Sequence, residues 1–102
     1  MKIIQRLSEM IDEEINDAEK YIDCAENVRE TYPKLSEAFY KLSLSEMEHM
    51  KTLYTEVADI IANYRKEHGE PPEGMLAVYN YLHGKSIDHA AEVKTKQAMY
   101  KE

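Results

Sequence analysis

Three residues in this 102-residue chain combine types and spacing suited to chemistry: Glu14, Glu46 and His49. Each falls where a helical run of apolar residues would place another apolar side chain. The step of three from Glu46 to His49 puts both on one helix face, a single turn apart. A carboxylate buried among apolar groups is costly unless an opposite charge or hydrogen bonds compensate it. A cation does this, and carboxylate oxygens with an imidazole nitrogen form a donor set that suits iron, manganese or zinc.

The elements that must hold these residues are helices. Over about residues 2–30 the stripe Leu7, Ile11, (Glu14), Ala18, Tyr21, Ala25, Val28 advances by alternating fours and threes, with Ile4, Ile15 and Ile22 widening the face. Thr31-Tyr32-Pro33 ends that pattern, and Pro33 suits a first helical position because its missing N–H would be unpaired there. A second helix is predicted over about 33–68, on the stripe Leu35, Phe39, Leu42, (Glu46), (His49), Leu53, Val57, Ile60, Tyr64. Lys66 and His68 complement the negative end of its dipole, and Gly69 terminates it. After the linker Glu70-Pro71-Pro72-Glu73-Gly74, a third helical segment covers about 73–101, with Leu76, Tyr79, Leu82, Ser86, Ala90, Val93, Gln97 and Tyr100 inward. Gly84 weakens this segment, which is read as one helix. No strand alternation occurs, so the predicted class is all-α.

The heights of the three residues agree. Glu14 precedes Glu30 by sixteen residues, and Glu46 and His49 follow Pro33 by thirteen and sixteen. At the helical rise these are about 24, 20 and 24 Å from the turn. An antiparallel hairpin therefore brings all three to one level.

Glu14-x3-Ala18-x2-Tyr21-x3-Ala25 followed by Glu46-x2-His49 resembles the first half of the ferritin-like di-iron carboxylate proteins, such as rubrerythrin, bacterioferritin and ferritin. The resemblance spans about Glu9–Ile61 and implies that a glutamate from one helix and a Glu-x-x-His from the next form half of a di-metal site. The chain departs from that family in having no second Glu-x-x-His. Two copies would restore the full set of four carboxylates and two imidazoles, an arrangement similar to the encapsulin-associated ferritins. The resemblance then implies a homodimer or higher homo-oligomer with a four-helix core, Glu46 bridging two iron ions, and Glu14 and His49 each holding one. It also places Tyr21 near the cluster. The activity it implies is oxidation of ferrous iron or handling of peroxide; electrons for the latter must come from an external donor. The alternative is a metal-free structural or interaction module that dimerises through the Glu14/Glu46/His49 face, its polar network setting register.

Other features narrow the field. Few turn formers (3 Gly, 3 Pro) and 43% hydrophobic residues fit one small helical domain. A net charge of −7 argues against a nucleic-acid partner, which needs a basic footprint. The lone Cys24 and the absence of any CxxC pair exclude a zinc ribbon or rubredoxin-type site within the chain. The opening MKIIQRLSEM has no apolar run of signal or membrane length, so the expectation is a cytoplasmic protein with no membrane partner. Among the remaining candidates, His89 and Glu92 have ligand-like spacing but are assigned to a solvated face, and His68 to a helix end. Glu14 has a competing reading as an ion-pair partner of Arg29 or of a lysine on a neighbouring helix.

Overall fold

In the computed structural model, residues 2–102 are described, apart from the side chain of Val78. They form three helices and no strand: α1 (Lys2–Val28), α2 (Pro33–His68) and α3 (Glu73–Lys101). The bundle is elongated, 56 × 20 × 18 Å, which matches the length of the 36-residue α2.

The turn between α1 and α2 closes through backbone bonds, Tyr32 N–H to Val28 O at 2.8 Å and Ser36 N–H to Tyr32 O at 2.9 Å. Pro33 occupies the first turn of α2, where a missing donor costs nothing. At the far end Gly69 takes a φ of 77°, a left-handed conformation that only glycine adopts cheaply, and its N–H bonds Arg65 O at 3.0 Å. Gly84 does not break α3, which runs as one helix.

On α2 the core lies one step round from the expected stripe, whereas α1 keeps the expected Ile4, Ile11, Ile15, Ala18, Ile22 and Ala25, with Ser8 buried in place of Leu7 and with Glu14 and Tyr21 only half-buried. On α1 the buried residues are Ile4, Ser8, Ile11, Ile15, Ala18, Ile22 and Ala25. On α2 they are Ser36, Tyr40, Ser43, Met47, Met50 and Val57. Ser36 and Ser43 are the reason. Both are fully buried, and each donates across the hairpin: Ser36 Oγ to Ala25 O and Ser43 Oγ to Ala18 O, both at 2.7 Å. A small serine opposite an alanine lets the two backbones approach closely, while the donated hydrogen bond removes the penalty for a buried hydroxyl. Leu35 and Leu42, expected inside, are 45% and 43% exposed. Glu14, Glu46 and His49 therefore flank the core and are not members of it.

On α3 the buried positions Ser86, Ala90, Val93, Gln97 and Tyr100 match the expected stripe. The helix lies in the groove on one side of the hairpin. Gln97 Nε2 donates to Ser43 Oγ at 2.8 Å, and the Tyr100 hydroxyl pairs with Ser36 Oγ at 2.7 Å. Ser36 and Ser43 thus each tie all three helices together. Along the rim, Lys96 Nζ reaches Asp23 at 3.0 Å and Glu19 at 3.4 Å, and His89 Nε2 lies 3.2 Å from Glu19.

Candidate metal centre

The register set by Ser43 against Ala18, carried one turn further along both helices, lands on Glu14 beside Glu46, with His49 one turn beyond Glu46. The structure brings these three residues together. His49 Nδ1 lies 3.5 Å from Glu14 Oε2 and 3.7 Å from Glu46 Oε2. One donor atom from each residue falls within 4.8 Å of the others, the spacing at which three ligands can share one ion. Asp12, Glu19 and Asp23 of α1 all bond α3. Glu14 is two residues on from Asp12, about 200° round the helix, so the cluster faces away from α3.

The electrostatics of the cluster are strained. The glutamate side chains are mostly covered, 25% and 17% exposed for Glu14 and Glu46, whereas that of His49 is 60% exposed. Glu14 Oε2 is buried with no hydrogen-bond partner among the described residues. Hydrogen bonding to the Glu14 carboxyl pushes Glu46 up to about 7, with burial and the charges of Glu14 and Asp17 adding to the rise and His49 opposing it. Glu46 thus keeps its proton toward neutral pH, where the protonated carboxyl has a donor to offer that the ionised form lacks.

No lysine or arginine among the described residues forms an ion pair with Glu14 or Glu46. Arg29 instead pairs with Glu26 at 3.6 Å and stacks over the Tyr100 ring at 4.4 Å. The ion-pair reading of Glu14 with Arg29 is therefore replaced by an all-acid cluster with one imidazole. An orphaned buried oxygen, a carboxyl that resists ionisation and a free imidazole edge are the features a divalent cation relieves, so the donor set fits a metal. His49 is the most exposed of the three, and its exposure leaves one side of the cluster open.

Tyr21 is not part of this contact set. It stacks on Phe39 at 6.1 Å between ring centroids. Tyr21 and Phe39 are each seven residues from Glu14 and Glu46, so the pair sits about 10 Å along the bundle from the cluster.

Two polar groupings escaped sequence reasoning. His89 is not on a solvated face: it is held against Glu19, whose pKa is lowered first by that hydrogen bond and then by Lys96, while burial opposes. Glu92 stays exposed. Tyr54 hydrogen-bonds His83 Nδ1 at 2.7 Å, and burial first, then Tyr79 and Asp12, pushes Tyr54 up to about 12. Both depend on how α3 slides along the hairpin, which no local spacing encodes.

No described helix is long and apolar enough to cross a membrane. No family model, curated protein or solved structure matches the chain.

Proposed function

We propose that the protein binds metal through Glu14, Glu46 and His49, with iron as the preferred ion, in a ferritin-like di-metal carboxylate site formed between two copies of the chain. The observation that carries this reading is the convergence of those three donors within 4.8 Å, with one carboxylate oxygen buried and without a hydrogen-bond partner among the described residues. A single chain supplies two carboxylates and one imidazole, half of what two metals need. The face around the cluster favours a second copy. Met10, one turn from Glu14, is 40% exposed, and Leu42, one turn from Glu46, is 43% exposed. A two-fold partner covering this face would bury those side chains and add its own donors.

A bound iron ion would supply one-electron chemistry toward dioxygen or peroxide. The chain's own contribution is to hold and polarise. Glu14 and Glu46 present negative charge in a partly water-excluded setting. Glu46 surrenders its proton on binding, and His49 offers Nδ1 at the open side. Oxidation of ferrous iron fits this equipment best, since it needs no electron donor.

The test is anaerobic reconstitution with iron(II), followed by desalting, measurement of metal per chain and determination of mass in solution. One iron per chain on a dimer supports the reading. A metal-free chain after reconstitution would overturn it. The exposed Leu42, one turn from Glu46, also suits a metal-free module that dimerises through this face, and a dimer without metal would select that reading.

A further inference from the structure

The open end of the bundle carries a second feature, remote from the acid cluster and unrelated to it. Between the start of α1, the end of α2 and the start of α3 lies a cleft of about 270 Å³. Its walls are apolar: Ile4, Ile61, Pro71, Met75, Leu76 and Leu82. Gln5, Ser8 and Tyr79 supply its polar atoms, and no charged side chain among the described residues lines it. Ser8, Tyr79 and Leu82 also border a neighbouring smaller space of about 10 Å³, whose other walls include Tyr54, His83 and Ser86. That smaller space is the size of one water molecule or one hydroxyl group.

The groups around that space form an ordered set. Tyr54 hydroxyl and His83 Nδ1 are 2.7 Å apart, and Ser86 Oγ donates to Asp12 Oδ1 at 2.6 Å. His83 is sandwiched, edge-on to Tyr54 at 5.0 Å and stacked on Tyr79 at 5.6 Å with 26° between the rings. The cleft is thus a greasy, partly aromatic pit whose floor holds a few convergent hydrogen-bonding groups. That combination is the general signature of a small-molecule site.

We propose that this cleft binds a compact, neutral aromatic alcohol, its ring between Ile4, Ile61 and Leu76 and its hydroxyl in the smaller space beside Tyr54 and His83. Neutrality follows from the lining, because a charged ligand would be desolvated there with no counter-charge. An aromatic ring follows from the flat Tyr79 wall and the compact volume, which suits roughly eight to fifteen non-hydrogen atoms. A single hydroxyl follows from the size of the smaller space, too small for a larger polar group.

The probes are 4-ethylphenol and ethylbenzene, titrated at pH 7 into the metal-free full chain and followed by amide NMR shifts. 4-Ethylphenol should saturate with Kd below about 1 mM. Ethylbenzene, lacking the hydroxyl, should bind at least about fivefold more weakly. Tyr54→Phe keeps the ring and should bring the two probes to within about twofold of each other. Leu76→Trp, which fills the pit, should abolish shifts from both. Equal binding of the two probes to the natural chain would overturn the hydroxyl assignment. Absence of saturable binding, or shifts confined to residues outside the cleft, would overturn the site. The comparison of the two probes on the unaltered chain decides the matter even where Leu76→Trp fails to fold.

Discussion

Replacing Glu46 with Gln should make the metal-free protein more stable at pH 8 while removing its ability to hold metal. Glu46 moves from an ordinary value of 4.5 to about 7 in the folded chain. Its folded pKa lies above its unfolded one, so between these values the native state holds a proton that the unfolded chain has lost. Stability therefore falls as pH rises from 4.5 to about 7, and the whole penalty is present above 7. Taken at face value the shift corresponds to about 3 kcal/mol. The group sits at a solvent-facing edge, 17% exposed beside a 60% exposed His49, and screening by water reduces this to about 1–2 kcal/mol. Gln keeps the shape, cannot ionise and can donate a hydrogen bond to Glu14. Urea unfolding of the two metal-free proteins should show the variant ahead by that amount at pH 8 and level at pH 4.5. At about 4–8 °C per kcal/mol for a domain of this size, the melting temperature should move with it. A variant that is less stable than the parent at pH 8 would refute the reasoning, because Glu46 would then be a structural anchor and not a repelled charge.

Metal uptake should itself depend on pH: below about 7 the proton on Glu46 competes with the cation, so affinity should drop by up to tenfold per unit as pH falls from 7 to 6, read by competition with a calibrated chelator. Gly84→Ala should stabilise the protein by about 0.5–1 kcal/mol in urea unfolding, since an added methyl meets nothing within 4 Å and α3 gains helix propensity. Ser43→Leu should cost more than about 2 kcal/mol, because it severs the Ala18–Ser43–Gln97 chain and forces α1 and α2 apart. Ser43→Ala should cost about 1–2 kcal/mol through the unpaired Gln97 and Ala18 groups.

Much of the fold was legible because helical period and turn residues speak locally. Pro33 and Gly69 bound α2 where expected, and the inward stripe of α3 from Ser86 to Tyr100 follows its spacing. The level of Glu14, Glu46 and His49 was legible because rise per residue converts sequence distance into height. The rotation of α2 was not. Hydrophobicity alone favours Leu35, Phe39 and Leu42 as the buried edge, whereas the helices close on Ser36 and Ser43, whose hydroxyls find carbonyls across the interface. The consequence is chemical as well as geometric: the acids sit on an edge open to a partner or to solvent, not in a sealed core. His89 against Glu19 and Tyr54 against His83 were invisible for a different reason. Their pairing depends on the axial placement of α3, set by the linker after Gly69 and by Gln97 reaching Ser43.

The most direct test of the central claim is anomalous diffraction at the iron edge from crystals of the iron-loaded protein. The account predicts a peak enclosed by Glu14, Glu46 and His49, with ligand distances of about 2.0–2.3 Å, and a second peak related to it through the partner chain. Loaded crystals with no peak at that cluster, or with iron held elsewhere on the surface, would contradict it.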